Sequence, residues 1–227
     1  VTSRPRLLDL FCGPGGAGTG YHRAGFDVVG VDIEDQPDYP FSFVRGDALE
    51  YLEAHGDQFD AVHASPPCTE HSTLTRANPN RNNRTNTAGL LPATLEALAI
   101  RPAGMWVVEN VMGAVMPTDM VLCGSMFGLR VYRHRRFTIG PGLPLLSLPD
   151  HPRHRVPSVR SDHAAAWAAG HNVVATAASH QSIATRALFA TALGIDWVRG
   201  TNLTLAIPPA YTEYLGAQLL EAVCQLT

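Results

Sequence analysis

Arg6-Leu7-Leu8-Asp9-Leu10-Phe11-Cys12-Gly13-Pro14-Gly15-Gly16-Ala17-Gly18 passes from an apolar stretch directly into a turn in which four of six residues are glycine. The pattern predicts a buried strand over 6–12, a glycine-rich turn, and a helix opening at Thr19. A second strand follows in Asp27-Val28-Val29-Gly30-Val31-Asp32-Ile33, and it ends in acids. Strand, glycine turn, helix, strand and acid make the nucleotide-binding half of a doubly wound α/β sheet. Glycines let the backbone approach a ligand, and an acid closing the second strand accepts hydrogen bonds from ribose hydroxyls. Gly13, Gly15 and Gly18 also satisfy G-x-G-x-x-G, so a nicotinamide enzyme stays open at this point; the motif alone does not choose.

Working outward, 40–45 reads as a short strand, and Asp47 then stands before a helix over 48–54. Asp47 is placed either to cap that helix or, on the ligand edge of the sheet, to read an adenine amino group. The next strand leads into Ala64-Ser65-Pro66-Pro67-Cys68. Two prolines stop the ladder and present the thiol, as a nucleophile would be presented; a small apolar residue at a strand end is the plainer account. Residues 69–87 are polar and aperiodic and carry Arg76, Arg81 and Arg84, which reads as a loop closing over a polyanion. An amphipathic helix over 89–100 precedes a buried strand that ends in Glu109-Asn110-Val111, so Glu109 faces the crevice of Cys68. Residues 131–139 alternate like a half-exposed strand, and some of its arginines, too many for a buried face, point at ligand or solvent. From 140 to 160 the chain is rich in Pro, His and Arg, a composition suited to recognition loops. Short helices over 164–169 and 184–192 and a final amphipathic helix over 211–226 complete the reading. The expected organisation is a catalytic domain over 1–139, a small insert over 140–185, and a segment over 186–227 returning to the first.

The 227 residues are 45% hydrophobic, enough for a full core. No apolar run approaches the roughly 18 residues of a membrane span, and no signal-peptide core opens the chain; a soluble cytoplasmic monomer is expected. Four cysteines lie far apart without a C-x-x-C pair, and His151, His154 and His163 are not at zinc-ligand spacing with any of them. Neither a metal site nor a disulfide is expected. Net charge is −3, yet all 17 basic residues are arginine and seven of them fall between 128 and 160, a local basic face suited to phosphates and base edges.

Asp9-Leu10-Phe11-Cys12-Gly13-Pro14-Gly15-Gly16, Pro66-Pro67-Cys68, Glu109-Asn110-Val111, Arg133-His134-Arg135-Arg136 and Ala206-Ile207-Pro208-Pro209, in this order, resemble the DNA cytosine-5 methyltransferase family over nearly the whole chain. The likeness is to the compact enzymes of bacteriophages and actinobacteria. It implies a doubly wound, Rossmann-like methyltransferase fold with a small, irregular target-recognition insert. It implies that Phe11, Gly13, Gly15 and Gly16 cradle S-adenosylmethionine, with Asp32 and Ile33, Asp47 and Ala48, and Pro66 in the same site. Cys68 would be the nucleophile, Glu109 the partner of the cytosine N3 and amino group, and Arg135, assisted by Arg133, the contact to its carbonyl. Double-stranded DNA would be held by Ser72, Arg76, Arg81, Arg84, Arg136, Arg153, Arg155 and Arg160. Val131 and Leu205 depart from the family, which usually has a polar side chain at both places. The same chemistry on RNA, and a non-catalytic DNA-binding protein of this fold, are the alternatives.

Overall fold

Strands that are covered on both faces read as continuous apolar runs, and those of this chain form the middle of one sheet. A computed structural model describes residues 4–67, 89–101, 105–141, 143, 147–154, 162–175, 182–198 and 201–226. Within them the strands are β1 (Arg6–Leu10), β2 (Asp27–Asp32), β3 (Ser42–Arg45), β4 (Ala61–Ala64), β5 (Met105–Val111), β6 (Met120–Leu122) and β7 (Arg135–Ile139). Their order is β3-β2-β1-β4-β5-β7-β6. β1 to β5 run parallel to one another, and β7 runs antiparallel between β5 and β6. The order changes direction between β1 and β4, which is where a doubly wound sheet opens its ligand crevice.

The helices are α1 (Gly16–Ala24), α2 (Ala48–His55), α3 (Leu90–Ala99), α4 (His163–Ala168), α5 (Ile183–Leu193) and α6 (Pro209–Leu226). Successive strand residues point to opposite faces. Leu8, Leu10, Val31, Val62 and Val108 therefore pack against Ala48 and Leu52 of α2 and Leu91 and Leu98 of α3. Leu7, Val28, Ala61 and Met105 meet Tyr21 of α1 and Leu219 and Val223 of α6 on the other face. Each such side chain, fully buried, contributes about 1.5–3 kcal/mol. Helices α1 and α6 approach so closely that a Cβ on Gly20 would lie 2.2 Å from the Pro209 carbonyl oxygen. Thr212 locks the pair by donating to the Ala17 carbonyl at 2.8 Å.

A further core cluster joins Val131, Val173, Phe189, Leu193, Ile195, Leu203 and Ala206. It accounts for a difference from the sequence reading, in which the strand began at residue 131. Val131 instead forms an isolated parallel bridge with Val173, fixed by Tyr132 N–H to Val173 O at 2.8 Å and Val173 N–H to Arg130 O at 2.9 Å. β7 starts only at Arg135. The boundary expected at 185/186 falls inside α5, whose Phe189 and Leu193 belong to this cluster. Among the described residues no helix is long and apolar enough to cross a membrane.

Candidate active site at the carboxyl edge of the sheet

The glycine turn leaves β1 at this edge. Phe11 has φ +55° and is the one non-glycine residue with positive φ among those described, a strained conformation for a bulky side chain. Gly13, at φ +49°, faces open space: a Cβ built there meets nothing within 4 Å. Its N–H donates to Asp32 Oδ2 at 2.9 Å, and Asp32 Oδ1 accepts from the Glu34 N–H at 3.0 Å. Asp32 thus ties the end of β2 to the turn and keeps lone pairs for a ligand. Beside it Ile33 is 59% exposed, an apolar surface at a ligand edge. Gly16 answers a different need, because its Cβ would lie 2.2 Å from the Ile207 carbonyl oxygen. Trp197 Nε1–H donates to Pro14 O at 2.9 Å, so the later segment backs the turn.

Asp47 caps α2, its Oδ1 accepting from Leu49 N–H at 2.8 Å and Glu50 N–H at 3.1 Å. The Ala48 side chain is packed in the core beneath it. Asp9 lies fully buried under the turn, where Oδ2 accepts from the Tyr39 hydroxyl at 3.1 Å. Burial pushes its carboxyl up to about 8, against the opposing hydrogen bonds from Tyr39 and the Gly18 N–H.

The second half of the site is built on β5 and β7. Their antiparallel register sets Val111 opposite Arg135 and Asn110 opposite Arg136, which carries arginines from the start of β7 to the carboxyl end of β5. Arg135 Nε lies 2.7 Å from Glu109 Oε1. That oxygen has no aligned hydrogen-bond donor among the described residues, so charge rather than directed bonding joins the pair. Burial raises the Glu109 carboxyl above its ordinary value, opposed by Arg135, Arg133 and a hydrogen bond with Ser65.

Behind Ser65 runs a short relay. His63 Nε2 is 2.8 Å from Ser65 Oγ, and its Nδ1 is 3.1 Å from the Tyr21 hydroxyl. Complete burial lowers His63 to about 3 and keeps the ring neutral. When Glu109 is ionised it only accepts, and Ser65 then donates to it, His63 Nε2–H to Ser65, and Tyr21 to Nδ1. Asn110 Nδ2 donates to Pro66 O at 3.0 Å and fixes the turn that leads into residue 68. Tyr211 donates to Arg133 O at 2.6 Å.

The edge therefore brings together Phe11, Gly13, Asp32, Ile33, Pro66, Glu109, Arg133 and Arg135. Cys68, Ser72, Arg76, Arg81, Arg84, Arg155 and Arg160 lie outside the described residues. The arginines around β7 have partners within the chain. Arg133 is buried with Nη1 donating to Ala175 O at 3.4 Å, Arg135 turns to Glu109, and Arg136 Nη1 donates to Ala114 O at 3.3 Å. A buried carboxylate and several inward carbonyls outweigh solvent at this margin of the sheet. Arg153 is exposed. Sequence reasoning gave no role to Asp9, His63, Ser65 or Asn110, although a lone polar residue inside an apolar strand is the available signal.

At the far corner of the same edge Cys123, His134, His151 and His154 offer ligand atoms that all lie within 4.8 Å of one another. Burial, and then Arg135, lower the pKa of His134. No linear spacing had grouped these four.

No protein-family model matches the chain, and no curated protein matches it. Solved structures do resemble it. A DNA modification methyltransferase encoded within an E. coli prophage superposes at TM-score 0.54 with 16% identity, covering 97% of this chain and 99% of that one. The Entamoeba histolytica methyltransferase EhMeth gives TM-score 0.59 at 11% identity, covering 100% of both chains. The S. pombe Dnmt2 methyltransferase gives 0.57 at 14% identity, covering 96% of this chain and 99% of that one. With a sheet of seven strands among the described residues, in the order β3-β2-β1-β4-β5-β7-β6, the chain has the Rossmann-like α/β fold of these methyltransferases.

Proposed function

We propose that the protein transfers a methyl group from S-adenosylmethionine to C5 of cytosine in double-stranded DNA. The observation that carries this reading is the buried Glu109, held between Arg135 and Ser65 on the sheet edge where the glycine turn opens and where Asn110 pins the turn into Cys68. The cofactor fits what is present. Gly13 leaves the space that any Cβ would take, Asp32 offers acceptors for ribose hydroxyls, and exposed Ile33 offers a face for the adenine. When bound, the cofactor supplies an electrophilic methyl group on a sulfonium.

Cytosine C5 is a weak nucleophile and must first be made into an enamine. Cys68 as thiolate adds to C6, forming the S–C6 bond, while Glu109 gives its proton to N3 so that no charge is left on the ring. Burial favours the protonated acid that this role requires. Arg135 and Arg133 orient Glu109 and supply positive charge beside the base carbonyl. After methylation N3 returns its proton to Glu109, water takes the C5 proton, and Cys68 departs as thiolate across C5–C6, which restores the ring. C6 is out of reach within a duplex, so the base must leave the stack. Within the arginine-rich stretch from 128 to 160, the exposed Arg153 supports a nucleic-acid substrate.

The test is incubation with tritiated S-adenosylmethionine and unmethylated DNA, with Cys68→Ala and Glu109→Gln alongside and bisulfite sequencing of the product. Label in DNA cytosine that both variants lose supports the proposal. Label in RNA alone, or label in DNA unaffected by Cys68→Ala, overturns it.

A further inference from the structure

We infer that Cys123, His134, His151 and His154 form a structural zinc site that fastens the proline-rich segment 147–154 to the edge of the sheet. Cys123 follows β6, His134 immediately precedes β7, and His151 and His154 come from a segment with no helix or strand of its own. Three separate stretches of chain thus deliver one thiol and three imidazoles to one place, with their ligand atoms within 4.8 Å of each other. Cys123 Sγ is 3.8 Å from His154 Nε2, and His134 Nε2 is 3.2 Å from His151 Nε2. Zinc bonds of about 2.3 Å to sulfur and 2.0–2.1 Å to nitrogen give a tetrahedron with edges of about 3.3 Å between nitrogens and about 3.6 Å between sulfur and nitrogen. Both close pairs have nearly these separations.

The surroundings are those of ligands held in place. His154 Nδ1 is 2.8 Å from Pro152 O, so the N–H sits on the carbonyl side and Nε2 is left with its lone pair toward Cys123. The Tyr132 ring stacks on His154 at 4.0 Å between centroids, which fixes the plane of the imidazole. Ser125 Oγ donates to Cys123 Sγ at 3.5 Å, which holds the sulfur in place. A hydrogen bond between two imidazoles would account for the His134–His151 pair, but not for the convergence of Cys123 and His154 on it. Thiolate and imidazole together select zinc over the oxygen-seeking cations. Four protein ligands leave no open position, which makes the site structural rather than catalytic. Its place explains what it fastens. A proline-rich stretch without a ladder has few backbone bonds to hold it, and a metal replaces the missing core. His134 stands between Arg133 and Arg135, so the same clip steadies the arginines around Glu109.

The experiment uses the untagged full chain, produced with zinc in the medium, dialysed against metal-free buffer, and measured by elemental mass spectrometry. The expected result is one zinc per chain. Cys123→Ser abolishes it, and His151→Gln, at an exposed position, weakens zinc by more than the ~10–100-fold that losing even a supporting contact costs. Circular dichroism confirms that the variants fold, and where Cys123→Ser does not, His151→Gln decides. Cobalt substitution should give a thiolate-to-metal charge-transfer band in the native protein. A chain that holds no zinc and takes none up on titration overturns the inference, as does zinc retained unchanged in His151→Gln.

Discussion

Asp9→Asn should remove a loss of stability above neutral pH. In the folded chain burial raises Asp9 from 3.8 to about 8, so the native state keeps a proton that the unfolded chain releases. Its contribution to stability is whole below 3.8 and is lost as pH rises to about 8. His63 works in the opposite direction. Its folded pKa is depressed from 6.5 to about 3, so stability is lost as pH falls below 6.5, where the unfolded chain takes a proton that the buried ring refuses. Between about 4 and 6.5 the two slopes oppose each other at about one proton each, and above 6.5 that of Asp9 is left. At about 1.4 kcal/mol per pH unit, the stretch from 6.5 to 8 costs about 2 kcal/mol. For a domain of this size that corresponds to a fall in melting temperature of roughly 4–8 °C. Glu109, also raised by burial, adds a slope of the same sign. Asparagine can still accept from Tyr39 and the Gly18 N–H but does not titrate. Thermal denaturation followed by circular dichroism should show the wild-type decline at least halved in the variant. Parallel declines in the two proteins would refute the burial argument.

Other substitutions test the rest of the site. Glu109→Gln keeps the shape and removes the acid, so turnover should fall about 10²–10⁴-fold while calorimetry finds cofactor affinity unchanged. Arg135→Met strands a buried carboxylate and should cost about 3–5 kcal/mol in urea unfolding; adding Glu109→Gln to it should recover part of that loss. Gly16→Ala drives a Cβ against the Ile207 carbonyl oxygen, which has no flexible side chain to yield, and should destabilise the fold by about 1–3 kcal/mol. Trp197→Phe removes the hydrogen bond to Pro14. At about 1 kcal/mol for that bond, affinity for S-adenosylmethionine measured by calorimetry should drop several-fold.

The parallel half of the sheet was legible because its signals are local. Leu7 to Gly18 and Val28 to Asp32 carry a strand, a glycine turn and a terminal acid within a few residues of each other, and the structure keeps them in register. What lay beyond the sequence is decided across long separations. Whether Arg135 meets solvent or Glu109 depends on β7 running antiparallel beside β5, which alternation within 131–139 does not state. That strand was also read too long, because the partner of Val131 is Val173, far along the chain. The sequence does not mark a role for His63, because the partners that let its imidazole be buried, Tyr21 and Ser65, satisfy both ring nitrogens only in the fold. Cys123 and His154 meet across 31 positions of sequence, a spacing that no compact zinc motif uses.

The contacts behind the glycine turn also bear on how the chain is made. Trp197 and Pro14 are 183 positions apart, and Thr212 and Ala17 are 195 apart. At ribosomal rates of about 5–20 residues per second, roughly 10–40 s pass between synthesis of the turn and arrival of the residues that back it. During that interval the apolar face of α1 has no α6 to cover it. Nascent chains halted before residue 197 should be held by chaperones and cut quickly by protease within α1. Release past residue 223, when Leu219 and Val223 of α6 can meet Tyr21, should end both, which makes docking of α6 the step that ends the vulnerability of α1.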